Sequence, residues 1–156
     1  MVHLVYCDNA GKSGERVLDK ILQKRKTMVV RGAAGRKIPH SRVFVGETLY
    51  FMEKGSAKIA ASARVTAVFN EVKLSDEKIR ALLEQYREKL SLTEKQRERW
   101  HKQCLCLVEF DEVSPIEPPL CFEKQSNMDD WLILEKIEDV LVGSSIPYNY
   151  ENARLR

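Results

Sequence analysis

The sequence predicts an α+β fold: a small mixed β-barrel, curved or closed, with a short N-terminal helix and a helical insert. Three observations carry that expectation. Short β-branched and apolar runs, punctuated by Gly, Asn and Asp turns, recur through residues 3–68. The hydrophobic period then changes from alternation to helical spacing across residues 74–102, and strand character returns at Cys104. A chain of 156 residues with 44% apolar and 31% charged residues has enough material for one core and too little charge for disorder. One domain over residues 1–142 is expected, with its insert at about 74–102 and a loosely structured tail at 143–156.

His3-Leu4-Val5-Tyr6-Cys7 reads as a strand closed by the turn Asp8-Asn9-Ala10-Gly11. Gly11-Lys12-Ser13 is not a phosphate-binding P-loop, because that motif needs glycine at position 6, where Tyr stands. Val17, Leu18, Ile21 and Leu22 share one face of a short helix over 15–22. Thr27 to Val30 is strand-like, and Gly32, Gly35 and Pro39 shape the loop after it. Val43-Phe44-Val45 leads into a Gly46-Glu47 turn, then a buried strand over 48–52, a hairpin turn over 53–56 and a long strand over 58–68. Small residues in that last strand suit a tightly curved sheet.

In the insert, Ser75 is the N-cap of a first helix, with Leu74 stapling Ile79 and Asp76 and Glu77 in the first turn. Ile79, Leu82, Leu83, Tyr86 and Leu90 mark its apolar face. A second helix starts at Thr93, with Gln96 completing a capping box, and runs through Trp100. Residues 104–110 form a strand, 114–119 (Ser-Pro-Ile-Glu-Pro-Pro) a rigid loop excluded from central sheet, and 131–134 a strand or helix start.

Charge is segregated along the chain. The formal net charge is only +3, yet Lys24, Arg25, Lys26, Arg31, Arg36, Lys37 and Arg42 crowd one stretch without an acid, whereas the C-terminal third is acidic. Such a stretch is either a solvated loop or a contact for a polyanion, and the arginines suit phosphate. His40 among these cations is an acid–base candidate or a plain loop histidine. Tyr50 and Phe51 are candidate base-stacking groups or core. His101, Cys104, Cys106 and Cys121 do not have structural-zinc spacing and read as buried thiols, so no metal and no cofactor is expected. The four cysteines, the absence of a long apolar run and the lack of a signal-like N-terminus point to a cytoplasmic protein with no membrane partner.

The order helix, Lys-rich strand, Gly-Glu turn, two strands, helical insert and a strand ending Leu107-Val108-Glu109-Phe110 resembles the ASCH branch of the PUA-like superfamily, small β-barrels associated with RNA. That family's signature is Gly-x-Lys-x-x-Glu-x-Arg. Residues 24–31 match it at Lys26 and Arg31, with Lys24 in place of Gly and Val29 in place of Glu. Residues 35–42 match at Gly35, Lys37 and Arg42, with His40 in place of Glu, but follow a loop rather than the helix. The resemblance implies a cleft between barrel and helices with Lys26 and Arg31 at its mouth. Some family members are amidohydrolases of acetylated cytidine that use a lysine, a threonine three residues later and a helical glutamate. Here Lys26 matches the lysine, Val29 stands at the threonine, and Glu77, Glu84, Glu88 and Glu94 are all open for the glutamate.

Three functions follow. The first is RNA or nucleotide binding in a basic cleft by Arg25, Lys26, Arg31, Arg36, Lys37 and Arg42, with His40 or Tyr50 adding polar or stacking contacts. The second is an amidohydrolase of a modified nucleoside, with Lys26 as the catalytic candidate. The third is a protein-interaction module whose basic face meets an acidic partner.

Overall fold

A computed structural model describes residues 1–126 and 129–155 of the chain. Six strands form one curled, half-barrel sheet: β1 (Val2–Cys7), β2 (Met28–Ala33), β3 (Thr48–Glu53), β4 (Lys58–Glu71), β5 (Cys104–Cys121) and β6 (Trp131–Leu134), in the order β2-β5-β4-β3-β1-β6. The β1–β3 pair is parallel and the other pairs are antiparallel. The long β4–β5 pair carries the curvature. Its register shifts between Ile59 and Ala61, between Ser62 and Arg64, and between Val65 and Ala67, and each such irregularity bends and twists the ribbon.

Alternation along these strands divides the apolar residues between two faces. Val5, Val29, Phe51, Val65, Cys106, Val108 and Trp131 share one cluster inside the curl. On the other face, Met28, Val30, Leu105 and Leu107 are covered by Ile79, Leu83 and Leu90 of the insert. Leu4, Met52, Leu132 and Leu134 meet Phe122, Ile137 and Val140 at the opposite end. Each fully buried side chain of this size contributes about 1.5–3 kcal/mol.

The insert comprises α2 (Asp76–Gln85), α3 (Arg87–Leu90) and α4 (Glu94–Arg99), while α1 (Val17–Leu22) precedes β2. Ser75 caps α2 by accepting from the Lys78 amide, and Thr93 with Gln96 forms the reciprocal capping box of α4. The first insert helix does not run unbroken to Leu90. It ends at Gln85, where the Tyr86 ring stacks on Phe69 with centroids 5.5 Å apart, and the separate turn α3 brings Leu90 over β2.

Two further expectations are corrected. Residues 114–119 belong to β5 rather than a loop, with Pro115 opposite Ala61 and Ser114 opposite Ser62. Proline is tolerated there because β2 pairs with β5 only as far as Glu109, which leaves β5 around 114–119 with no second strand neighbour among the described residues. The C-terminal segment is not loose throughout. It carries α5 (Tyr150–Leu155), and Ala153, 2% exposed, lies in the main core cluster. Among the described residues no helix is long and apolar enough to cross a membrane.

Candidate functional site

The basic stretch does not stay together. Arg25 ends up on the surface beyond α1, where its fork meets Glu15 at 3.2 and 3.3 Å and Gln23 at 2.8 Å. Lys26 turns inward instead. It is 3% exposed and its Nζ donates to the Leu90 carbonyl, while Lys20 Nζ donates to the Ser91 carbonyl at 3.0 Å. Two lysines thereby satisfy carbonyls that the end of α3 leaves without helical partners. Burial pulls the Lys26 ammonium down to about 7, and the nearby Arg31 cation acts in the same direction.

Arg31 leaves β2 on the Val29 side and lies between the chain's two tryptophans. Its Cζ is 5.3 Å from the Trp100 ring centroid and 5.7 Å from that of Trp131. One terminal nitrogen donates to the Tyr6 carbonyl at 2.7 Å and the other to the Val30 carbonyl at 2.9 Å. Arg31 Nε is buried with no partner among the described residues. Arg99, at the end of α4, lies over Trp100 at 4.8 Å, so Arg99, Trp100, Arg31 and Trp131 form an alternating run of guanidinium and indole planes.

Other hydrogen bonds hold that run in place. Trp131 Nε1–H donates to His3 Nδ1 at 2.9 Å, which puts the imidazole proton on Nε2, where it is donated to Glu47 Oε1, also at 2.9 Å. Gln96 Nε2 donates to Asp8 at 3.1 Å and docks α4 on the turn after β1. Asp130 accepts from Arg99 at 2.8 Å and pairs with Lys54 at 3.3 Å.

Around the run lie two connected spaces. The inner one, of about 40 Å³, is walled by Lys26, Val29, Arg31, Leu92 and Gln96, and has room for water but not for a substrate. The outer one is an open cleft of about 480 Å³. Its walls carry Arg31, Lys37, Lys54, Arg99 and Lys102, but also Glu98, Asp129 and Asp130, so its charge is mixed rather than uniformly basic. A third space, a cup of about 440 Å³, holds Arg36, Lys37, His40 and Arg42.

The remaining candidates fall elsewhere. Tyr50 is half-buried against the Leu4–Phe122 cluster, away from the cleft, and Phe51 is fully buried. His40 is buried, with Nδ1 2.8 Å from Ser41 Oγ and Nε2 3.1 Å from the Glu71 carbonyl. Glu77, Glu84, Glu88 and Glu94 do not line the inner space or the outer cleft, and Val29 offers no hydroxyl beside Lys26. His101 pairs with Asp76, Cys104 lies against the Ala34 carbonyl, Cys106 is in the core and Cys121 is exposed. Burial pushes the Cys7 and Cys106 thiols up to about 12.

Sequence reading missed Gln96, Arg99, Trp100, Asp130 and Trp131. A signal existed for some of them. Gln96, Arg99 and Trp100 have the i, i+3, i+4 spacing of one helix face, and a tryptophan on an otherwise charged helix marks the side by which that helix packs.

No family model matches the chain, and no curated protein matches it. Among solved structures it is similar to the ASCH protein of Zymomonas mobilis, at 14% identity and a TM-score of 0.61, over 86% of this chain and 88% of that one. A single-residue variant of that protein aligns equally well, with a TM-score of 0.62 at 14% identity over 86% of this chain and 91% of that one. At such identity the likeness concerns architecture. The chain has a mixed α+β architecture with a curled six-stranded sheet, as that protein does. Its fold is that of an ASCH domain.

Proposed function

We propose that the protein binds RNA or a nucleotide-like ligand in the outer cleft, with a base stacked against the alternating run and phosphate oxygens held by cations on the rim. The observation that carries this reading is Arg31 lying between Trp100 and Trp131 in a cleft whose walls also bear Lys37, Lys54, Arg99 and Lys102. Trp131 is 1% exposed and backs the run from the core, so a base stacks at the Trp100–Arg99 end, a contact of about 1–3 kcal/mol per base to which arginine adds a cation. The carboxylates of Asp129 and Asp130 disfavour a bare polyphosphate and leave room for polar contacts to a base edge.

Because Trp100 is partly exposed in the cleft and Trp131 lies buried behind Arg31, intrinsic fluorescence responds to occupancy of the cleft. Titration with short single-stranded RNA is expected to change the emission, to weaken with added salt, and to lose about tenfold in affinity in Arg31→Lys, which keeps the charge but removes the plane. No RNA binding even at low salt refutes the proposal. Binding of a copurifying protein that survives nuclease treatment would favour the interaction-module reading instead.

A second reading, hydrolysis of a modified nucleoside such as acetylated cytidine, draws on one observation: an amine held near 7 at Lys26 is substantially neutral at physiological pH and can act as a base. It predicts turnover of acetylated cytidine that Lys26→Met abolishes. The small inner space and the missing Val29 hydroxyl place it second.

A further inference from the structure

The loop between β2 and β3 forms the second basic space, and its shape is set by hydrogen bonds rather than left open. The His40 amide donates to the Lys37 carbonyl and the Arg42 amide to the Pro39 carbonyl, both at 2.9 Å, which makes two successive turns. The loop is then tied to the end of β4. The Ser41 amide donates to Asn70 Oδ1 at 2.9 Å, and His40 Nε2–H donates to the Glu71 carbonyl at 3.1 Å. Ser41 Oγ–H donates to His40 Nδ1 at 2.8 Å, so both ring nitrogens of the buried imidazole are used in fixing the loop. His40 is therefore a structural pin, and the cations around it are presented by a preformed frame.

That frame surrounds a cup of about 440 Å³ lined by Arg36, Lys37, His40, Ser41, Arg42 and, from the C-terminal helix, Tyr150. Its described lining contains no carboxylate, in contrast to the outer cleft with Glu98, Asp129 and Asp130. Lys37 and Ile38 line both spaces, so cup and cleft abut across a single dipeptide. Lys37 is shared electrostatically as well, lying 3.5 Å from Asp129 on the cleft side.

We infer that the cup is a phosphate subsite and that the natural ligand is a phosphate-bearing nucleotide or oligonucleotide rather than a free nucleoside: the base occupies the mixed-charge cleft and the adjacent phosphate crosses Lys37 into the cup. This rests on the cleft reading given above. Two arginines and a lysine on this fixed backbone, with Arg42 braced by donation from Nη1 to the Ser41 carbonyl at 3.1 Å, match the several oxygens of a phosphate, which favours arginine forks over scattered lysines. The same chemistry is offered by a terminal monoester or by the diester linking two nucleotides, and the probes below separate them.

The experiment is a set of fluorescence titrations with the four nucleosides, their 5′- and 3′-mononucleotides and the four homotetranucleotides of RNA. It uses the native protein, Arg36→Glu, Arg42→Gln and the double variant, with inorganic phosphate as competitor and thermal melting as a control for folding. Arg36 is exposed, so Arg36→Glu tests the cup without disturbing the core. Phosphate-bearing probes are expected to bind the native protein about tenfold more tightly than nucleosides. The double variant loses that increment while nucleoside affinity stays within about twofold, and inorganic phosphate removes the increment without displacing nucleoside. The slope of log K against log salt for tetranucleotides falls by about 0.7 for each phosphate that the variant no longer neutralises. A preference for one mononucleotide assigns the monoester, and an increment seen only with tetranucleotides assigns the diester. An increment that survives in Arg36→Glu and in the double variant overturns the subsite. Failure of every probe to alter the tryptophan emission or bind by calorimetry overturns the cleft reading itself, which is a different result.

Discussion

Lys26 offers a test in which protonation, burial and stability are tied together. Its ammonium is held at about 7 in the folded protein against an ordinary value of 10.5, with burial as the main cause. Between those two values the unfolded chain binds more protons at this site than the folded protein does. Stability therefore rises with pH through that window, and the full cost is present below about pH 7. Working the linkage through with these two values, the site costs about 4 kcal/mol at pH 7 and about 2 kcal/mol at pH 9. Above pH 9 the opposite effect enters. Cys7 and Cys106, pushed by burial from 9.0 to about 12, bind more protons folded than unfolded, so they lower stability as pH rises beyond 9. The clean window is pH 7 to 9. Lys26→Met removes the titration but leaves the Leu90 carbonyl without its donor, which costs about 1–3 kcal/mol. The variant should be more stable than the native protein by about 2 kcal/mol at pH 7 and indistinguishable from it near pH 9. Urea unfolding at pH 7, 8 and 9 on both proteins gives the difference directly, with other titrating groups cancelling. A difference that does not change between pH 7 and 9 refutes the assignment of a depressed, buried amine.

Other expectations follow from packing. A Cβ on Gly32 would lie 2.6 Å from Leu105 Cδ2 and 3.0 Å from the Cys104 carbonyl oxygen, whereas one on Gly35 meets nothing within 4 Å. Gly32→Ala should cost about 1–3 kcal/mol and Gly35→Ala less than about 0.5 kcal/mol, as read from denaturant midpoints. Trp131→Phe leaves buried His3 Nδ1 without its donor and should destabilise by at least about 1–3 kcal/mol; Trp100, partly exposed and with no comparable bond among the described residues, should tolerate Phe with a loss below about 1 kcal/mol. Thr93→Ala removes one half of the α4 capping box and should cost about 1 kcal/mol, together with weaker ligand binding because α4 carries Arg99 into the wall of the outer cleft. Melting temperature and fluorescence titration on the same preparation separate the two effects.

Much of the element pattern was legible because it depends on local physics. The N-caps at Ser75 and Thr93, the small-residue strand of β4 and the returning strand at Cys104 all follow from side-chain geometry within a few residues. The errors arose where a distant partner decided. Residues 114–119 are sheet because β4 runs alongside and β2 stops at Glu109, a circumstance no local proline rule contains. Tyr86 breaks the insert helix against Phe69, which lies in a different element.

The candidate site divides along the same line. By itself the sequence determined that positive charge is concentrated at residues 24–42, that a strand and a shaped loop carry it, and that a helical insert follows. Charge and period are properties of neighbours along the chain. Only the tertiary structure decided which of those cations line an open space. Lys26 is buried on a carbonyl of α3, Arg25 is committed to Glu15 at the surface, Arg31 enters a tryptophan-walled cleft, and Arg36, Lys37 and Arg42 surround a separate cup. Trp100 and Trp131 come from the insert and from β6, and they meet at Arg31 because α4 docks on the turn after β1 while β6 pairs along β1. A cleft assembled by strand pairing and helix docking brings together residues with no spacing in common, and that is why its chemistry could not be read one segment at a time.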